Sequence, residues 1–165
     1  MTKRLILIRH AKSSWAEPGI DDHDRPLNSR GRRSASAIGA WLRKMGYQPD
    51  LVLCSTALRT RETCDLLALE AKVMHLPALY LAEAEAILSA LQAATGKTLA
   101  LIGHNPGIGD FATRILTETP PHGRFADYPT GATLVADLAT DKWRNLDFAS
   151  GRMVNFITPR ELTGD

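Results

Sequence analysis

Cysteine and net charge are both scarce in this 165-residue chain. Its only two cysteines, Cys54 and Cys64, lie in apolar segments and form no closely spaced metal-binding pair. We therefore expect buried free thiols in a reducing compartment. Twenty basic residues against eighteen acidic ones leave a formal net charge of only +2. Charge-driven binding of nucleic acid needs a dense basic face, so we expect no nucleic-acid partner.

Long apolar runs are also missing. No stretch approaches the roughly 20 residues that cross a membrane. The apolar run after the basic start Met1–Arg4 is too short for a secretion signal. We therefore expect a soluble, cytoplasmic protein with no membrane partner. The length and the 44% hydrophobic content predict one domain that spans residues 1–165.

Short apolar runs alternate with helical patterns along the chain. Solid runs predict strands buried on both faces of a parallel sheet, at Leu5–Ile8, Leu51–Cys54 and Leu99–Ile102. Apolar stripes at helical spacing predict helices over Ala35–Met45, Ala57–Ala71, Ala84–Ala94 and Ile108–Ile115. Further strands are expected at Ala132–Leu138 and Met153–Ile157, the second as an edge or antiparallel strand. This order predicts a three-layer α/β/α sandwich with a mostly parallel central sheet.

Three polar segments fall outside this pattern. Trp15–Leu27 predicts a long polar loop over the sheet edge, and the tail from Pro159 is expected to be loosely held. The basic group Arg30, Arg32 and Arg33 is typical of a solvated helix face. A docking patch for an acidic partner is the alternative interpretation of that group.

Arginines and histidines stand at or just beyond the ends of three predicted strands. Arg9 and His10 follow the first run, Arg59 follows the second and His104 the third. The carboxyl ends of parallel strands share one edge, where open α/β sheets bind ligands, so these four side chains should converge. Arginine pairs with oxyanions through two parallel hydrogen bonds. The sequence therefore predicts a phosphoryl-binding site.

Two histidines at such a site can take different roles in phosphoryl transfer. A neutral imidazole can attack phosphorus and carry the phosphoryl group covalently. The second can donate a hydrogen bond to the group in transfer. Ser55, Thr56 and Gly107 can add donors at helix N-termini. We expect no cofactor and no metal, because the arginines beside His10 and His104 would repel a divalent cation.

These segments resemble the signature motifs of the histidine phosphatase (phosphoglycerate-mutase-like) superfamily. The similar segments, which run from Leu5 to about Gly107, are Leu5–Ala11 with Ala11 in place of the usual glycine, Asp24–Gly31, Ser55–Thr60 and Gly103–Gly107. The opening Arg9–Trp15 and the short chain are most similar to the branch of SixA-type phosphohistidine phosphatases. Ala16 stands where mutase-like members often have an asparagine near the phosphate, so that contact is absent from the pattern.

The resemblance implies a phosphoglycerate-mutase-like fold and a metal-independent phosphatase. His10 would be the nucleophile and would form a phosphohistidine intermediate. Arg9, Arg59 and His104 would bind the phosphoryl oxygens.

Two substrate classes differ in whether their leaving group needs a proton from the enzyme. A phosphate ester needs a general acid, and relatives that act on esters usually place a carboxylate between the second arginine and the second histidine. Glu83 and Glu85 lie there, but the helix dipole explains them equally well as first-turn acids. Asp22 and Asp24 in the early loop are further candidates. A phosphoramidate has a weaker P–N bond and can react without a dedicated acid, which favours phosphohistidine.

Three functions therefore stay open. The first is dephosphorylation of a phosphohistidine-bearing protein, and the second is hydrolysis of a small phosphomonoester. The third, a non-catalytic phosphoryl-binding module, is disfavoured because a binder would not need the nucleophile. The short chain leaves little room for insertions around a small substrate, so the pocket should be shallow and open. Trp15 is a candidate wall of that pocket, whereas His23, His75 and His122 have no motif context.

Overall fold

Six strands form one mixed sheet in the computed structural model, which describes residues 1–165. In chain order they are β1 (Lys3–Arg9), β2 (Leu51–Ser55), β3 (Lys72–Leu76), β4 (Thr98–Gly103), β5 (Thr133–Leu138) and β6 (Gly151–Ile157). The spatial order is β3-β2-β4-β1-β5-β6. The first four strands are parallel, while β5 and β6 pair antiparallel. The mostly parallel sheet and its antiparallel edge strand are therefore confirmed.

Helices cover both faces of the sheet. They are α1 (Ser29–Met45), α2 (Leu58–Leu67), α3 (Ala84–Gln92), α4 (Gly107–Ile115) and α5 (Pro159–Thr163), with short 3-10 turns at Asp22–Asp24, Pro77–Leu79 and Trp143–Asn145. One apolar core lies between the sheet and α3 and α4, and a second lies between the sheet and α1 and α2. The three-layer prediction is confirmed. None of these helices has the length and apolar character needed to pass through a bilayer.

The solid apolar run of β1 follows from its central place in the sheet. Leu5 and Leu7 belong to one core, and Ile6 and Ile8 belong to the other. All four side chains are completely buried. A strand with helices on both faces has no solvent-facing side, so its sequence does not alternate.

Helix α1 begins at Ser29, six residues before the predicted apolar stripe, and ends at Met45 as predicted. The Asn28 side chain accepts a hydrogen bond from the Gly31 N–H at 2.8 Å, which caps the first turn. Gly46 ends the helix in the left-handed region, with φ at 75°. Met45, the last member of the predicted apolar stripe, is 44% exposed, so the buried stripe ends at Leu42.

The prediction of a loose tail from Pro159 is wrong. The segment forms α5, whose start is fixed by a capping box between Thr158 and Glu161. The Glu161 carboxylate accepts hydrogen bonds from the Thr158 N–H at 2.7 Å and from its hydroxyl at 2.9 Å. The signal was present in the sequence as Thr158-Pro-Arg-Glu161, since a threonine followed three residues later by glutamate is a typical helix start.

Candidate active site

The carboxyl ends of β1, β2 and β4 meet at one edge of the sheet. Arg9 pairs with Gly103 in the parallel register of β1 and β4, so the next residues, His10 and His104, are neighbours. Their ring centroids lie 5.3 Å apart. Arg59 reaches the same place from the first turn of α2. All four predicted site residues line one cavity of about 330 Å³.

A change of backbone direction after β1 lets Arg9 and His10 line the same cavity. Successive residues of a strand point to opposite faces. Here the N–H of Gly131 donates to the carbonyls of both Arg9 and His10, at 3.1 and 3.0 Å. Two consecutive carbonyls cannot point at one donor in a regular strand, so the strand geometry ends at Arg9. Gly131 has φ at 76°, and a Cβ there would lie 2.5 Å from Pro159, so this turn requires glycine.

His10 is held as a neutral imidazole with one free nitrogen. Its Nδ1 lies 2.6 Å from the carbonyl oxygen of Ala11. A carbonyl only accepts, so Nδ1 carries the proton and Nε2 keeps its lone pair. Burial, together with the charges of Arg59 and Arg9, lowers the pKa of His10 to about 4. The ring is therefore uncharged near neutral pH, and the lone pair on Nε2 is available for nucleophilic attack.

In His104 the hydrogen-bonded nitrogen is Nε2, which lies 2.8 Å from the hydroxyl oxygen of Ser55. That oxygen also accepts from the Ala57 N–H at 3.3 Å, and its own proton can be donated to Nε2. Burial, followed by the proximity of His10 and Arg59, lowers the pKa of His104 to about 3. The neutral ring then carries its proton on Nδ1.

Three buried nitrogens of this site have no hydrogen-bond partner in the protein. They are Nε of Arg9, Nε of Arg59 and Nδ1 of His104. A buried donor without a partner costs about 1–3 kcal/mol, and more when it is charged. The three belong to three of the four residues predicted from the sequence. Oxygens of a phosphoryl group offer acceptors for all of them, so the site fits an oxyanion.

Both arginines are fixed by main-chain oxygens. Arg9 donates from Nη1 to the carbonyl of Tyr128 at 3.1 Å. Arg59, only 2% exposed, donates from Nη1 to the carbonyl of Asp22 at 2.6 Å and from Nη2 to its carboxylate at 2.9 Å. Burial and the charge of Arg59 lower the pKa of Arg9. Their positions are therefore set before any ligand arrives.

A cluster around Asp22 completes one wall of the cavity, and two of its members, Arg25 and Tyr80, were missed in the sequence. The Asp22 carboxylate accepts from Tyr80, from Arg59 and from Nε of Arg25 at 3.1 Å. The hydrogen bonds from Tyr80 and Arg59 hold the pKa of Asp22 well below its usual range. Asp22 is thus a carboxylate that positions Arg59, and it has no proton to donate at neutral pH.

Arg25 and Trp15 form the neighbouring part of the rim. Arg25 is buried and donates from Nη1 to the Ser13 hydroxyl at 2.7 Å. Its guanidinium lies 3.5 Å from the centroid of the Trp15 ring. Trp15 is nevertheless 77% exposed and lines the cavity, as the sequence suggested. An arginine inside an acidic loop was the available signal for Arg25. Tyr80 had no comparable signal.

The other carboxylate candidates lie outside the cavity lining. Glu85 is exposed and pairs with Arg114 at 2.7 Å, which lowers its pKa. Glu83 is the exposed N-cap residue of α3. Asp24 is 66% exposed and lies 3.6 Å from Nδ1 of His23. Among the four candidates, only the ionised Asp22 lines the cavity.

None of the three predicted accessory donors lines the cavity. The hydroxyl of Thr56 lies 2.9 Å from Nε2 of His23, whose ring packs edge-on against Tyr80 at 4.8 Å. Gly107 packs against the carbonyl of Ala82, where a Cβ would come within 1.7 Å. Ser55 acts through His104 instead of facing the cavity. No three His, Cys, Asp or Glu side chains are grouped so that they could hold a metal ion.

Comparison with known proteins relates this chain to the histidine phosphatase superfamily. The model of the histidine phosphatase superfamily (branch 1) matches residues 5–85. A candidate phosphohistidine phosphatase SixA from Nakamurella multipartitia is 30% identical with a TM-score of 0.84, over 96% of this chain and 97% of its own. A second candidate SixA, from Agrobacterium tumefaciens, is 29% identical with a TM-score of 0.78, over 96% and 99%. An uncharacterized protein of Mycobacterium leprae (strain TN) is 35% identical over 93% of this chain and its own full length.

The chain therefore belongs to the histidine phosphatase superfamily and has the phosphoglycerate mutase-like fold. Family and neighbours together support a phosphatase, a hydrolase, as its class of activity.

Proposed function

We propose that this protein is a metal-independent phosphatase that removes the phosphoryl group from phosphohistidine on other proteins, with His10 as its nucleophile. The observation that carries the proposal is the pairing of a neutral His10, whose Nε2 is free, with three buried nitrogens that have no partner. A nucleophile and a set of unpaired donors in one cavity fit phosphoryl transfer.

The first half of the reaction moves the phosphoryl group to the enzyme. Its oxygens accept hydrogen bonds from Arg9 Nε, Arg59 Nε and His104 Nδ1. The lone pair of His10 Nε2 forms a bond to phosphorus while the P–N bond of the substrate breaks. The electron pair of that bond returns to the substrate imidazole. The proton stays on His10 Nδ1 and is donated in a hydrogen bond to the Ala11 carbonyl, which stabilises the positive charge of the phosphorylated ring.

The second half releases inorganic phosphate. A water molecule attacks phosphorus, the P–N bond to His10 breaks, and its electron pair returns to Nε2. The water loses a proton to solvent as the new P–O bond forms. His10 is then neutral and ready for another cycle. Because both half-reactions pass through a similar distribution of charge, Arg9, Arg59 and His104 serve both.

The leaving group favours phosphohistidine over an ester. A departing alkoxide needs a proton from an acid, whereas an imidazole that has taken a proton from water at its other nitrogen leaves as a neutral molecule. The only candidate carboxyl in the cavity lining, Asp22, is ionised. The site therefore suits a P–N bond.

The rim favours a substrate carried on a protein. Trp15 is 77% exposed and Leu81 is 54% exposed, and both line the cavity mouth. Exposed apolar groups around a polar cavity are typical of contact surfaces. The SixA names of the two structural neighbours support the same substrate class. Both cysteines are buried and free, which is consistent with the cytoplasmic location we propose.

The test compares two substrates in the presence of a chelator. Purified protein is mixed with a phosphohistidine-bearing phosphotransfer protein or with p-nitrophenyl phosphate, and phosphate release is followed. We expect rapid loss from the phosphoprotein and slow ester hydrolysis. His10→Ala should abolish both reactions. His75→Ala, which removes an exposed histidine on β3, should leave both unchanged.

Other outcomes would identify another function. Rapid ester turnover with an untouched phosphoprotein would indicate a small-molecule phosphomonoesterase, and Glu83 and Glu85 would then be tested as the acid. Binding of tungstate without turnover of either substrate would indicate a phosphoryl-binding module.

A further inference from the structure

A second cavity lies beside the catalytic one and shares two of its residues. Lys12 and Thr130 line both cavities. The second has a volume of about 190 Å³ and no hydrophobic lining residue. We call it the basic cavity and define it by its four cations, Lys12, Arg30, Arg124 and Arg160.

The charge of the basic cavity is far from that of the whole molecule. Four cations and one acid, Asp165, line it, whereas the complete chain carries only two more basic than acidic residues. Grouping like charges in one concave surface is unfavourable unless an anion binds there. Neither Lys12 nor Arg160 belongs to any of the salt bridges of the structure, and the Asp165 carboxylate contacts Arg33 at 3.5 Å. Arg30 donates to the main-chain oxygen of Asp165 and Arg124 pairs with Asp127, so Lys12 and Arg160 are the two cations of this cavity that have no partner.

Hydrogen bonds and close packing hold the backbone that carries these cations in place. The carbonyl of Lys12 accepts from the Asn28 N–H at 3.1 Å, and α1 passes so close that a Cβ on Gly31 would lie 2.0 Å from that oxygen. Asp127 holds Arg124 at 3.1 Å. Arg160 lies in α5, whose start is capped by Thr158 and Glu161. A preformed site loses less entropy on binding than a flexible one.

We propose that the basic cavity binds an acidic side chain of the substrate protein, next to its phosphohistidine, and thereby contributes to substrate choice. This inference rests on the proposed function, because it assigns the cavity to the same substrate. Carboxylates pair with arginine through directed hydrogen bonds. Trp15 and Leu81 are exposed at the rim of the neighbouring catalytic cavity. A protein surface would cover both side chains, whereas a small anion would leave them uncovered, so we take the occupant to be part of a protein.

The spacing defines where the acidic residue should stand. Lys12 follows His10 by two residues, so the two Cα atoms are at most about 7 Å apart. On a helix, residues three or four positions apart have Cβ atoms about 5–6 Å apart. An Asp or Glu three or four residues from the phosphohistidine would therefore reach the basic cavity while the phosphoryl group occupies the catalytic one.

The experiment uses two alanine-rich helical peptides, each with one histidine phosphorylated by phosphoramidate. One carries Glu three and four residues to either side of the phosphohistidine, and the other carries Gln at those positions. We expect the wild-type protein to hydrolyse the Glu peptide with a kcat/KM about 5- to 10-fold higher, as for two exposed ion pairs. The difference should lie in KM.

Two variants test whether the cavity causes this preference. The double variant Arg124→Gln, Arg160→Gln should bring the ratio close to 1 while its kcat/KM for the Gln peptide stays unchanged, which also shows that it is folded. Arg160→Glu should reverse the preference toward a peptide with Lys at the same positions. Arg144→Gln is the matched control, because Arg144 is exposed near Lys3, beyond the opposite ends of the strands.

The two proposals fail in different ways. Equal hydrolysis of the Glu and Gln peptides by the wild-type protein would overturn the role of the basic cavity and leave the phosphatase proposal intact. A preference that survives in the double variant would overturn it as well. If neither peptide is hydrolysed, the proposed function fails and the role of the cavity fails with it.

Discussion

The two cavities that meet at Lys12 and Thr130 use positive charge in different ways. In the catalytic cavity, Arg59 is 2% exposed and its guanidinium is hydrogen-bonded to Asp22. In the basic cavity, the cations are exposed to water. Buried, fixed donors stabilise charge strongly at a defined point, whereas exposed charges are screened by water and salt. Buried, fixed donors therefore suit the chemistry we propose for the first cavity, and exposed cations suit the recognition we propose for the second.

Replacement of an arginine by lysine in each cavity tests this contrast most strongly. Arg59→Lys keeps the charge but loses the planar group that contacts Asp22 and that binds the phosphoryl oxygens in the proposed mechanism, so kcat should fall about 10²- to 10³-fold. Arg160→Lys keeps an exposed charge in water and should change kcat/KM less than about twofold. The measurement is steady-state hydrolysis of a phosphohistidine peptide. Equal effects of the two substitutions would contradict the contrast.

The lowered pKa of His10 predicts how stability depends on pH. The unfolded protein takes up a proton on this histidine below about 6.5, whereas the folded protein does so only below about 4. Between these values the unfolded state binds more protons, so the free energy of unfolding falls as the pH falls. His10 should contribute a loss of about 3 kcal/mol between pH 7 and pH 4.

His10→Asn isolates this contribution, because the asparagine amide can still donate to the Ala11 carbonyl. Urea unfolding of the wild type and the variant across this pH range provides the measurement. The wild type should lose about 3 kcal/mol more than the variant. Parallel pH profiles would mean that folding does not lower the pKa of His10, which would contradict the account.

Substitution of Asp22 distinguishes a positioning residue from a general acid. Asp22→Ala removes an acceptor of Arg59 and Arg25, so kcat for phosphohistidine and for an ester should both fall, each by about tenfold. Asp22→Asn keeps an amide oxygen for Arg59 and should restore part of both activities. A general acid would instead be needed mainly for the ester and would not be replaced by asparagine. Asp24→Ala, an exposed neighbour, is the control.

The salt dependence of kcat/KM should distinguish the two cavities, and it is the smallest of the effects we predict. For a phosphopeptide with acidic neighbours, kcat/KM should fall about threefold between about 50 and 300 mM NaCl, because exposed pairs in the basic cavity are screened. The Arg124→Gln, Arg160→Gln variant should show a weaker dependence. Identical salt profiles of the wild type and this variant would show that the basic cavity does not contact the substrate.

The convergence of the four candidate site residues in one cavity could be predicted because each follows an apolar run. β1, β2 and β4 are buried on both faces, so their sequences are solidly apolar and their ends are easy to locate. Parallel pairing then brings His10 and His104 together without further information. Predicted helical core positions such as Ile38, Leu67 and Phe111 are buried, whereas Met45 is exposed. The predicted second and third helices were too long at their ends, since Ala71 and Ala94 lie beyond α2 and α3.

Residues that meet through loops could not be predicted in this way. Asp22 and Tyr80 are 58 residues apart and are joined by a hydrogen bond between segments without periodic patterns. The basic cavity combines the loop after β1, the start of α1, the loop before β5 and α5. α5 is a different case, because its capping box was visible in the sequence. Periodicity locates strands and helices, but it carries no information about which loops touch.

Trapping the phosphorylated enzyme tests the central claim that Nε2 of His10 carries the phosphoryl group. The protein is mixed with a phosphohistidine-bearing protein and quenched in alkali, because phosphoramidates hydrolyse in acid. Peptide mass spectrometry then locates the phosphate, and phosphorus NMR distinguishes the two ring nitrogens. We expect phosphate on Nε2 of His10 and none in His10→Ala. Phosphate on Nδ1, on His104, or on no residue during rapid turnover would contradict the mechanism.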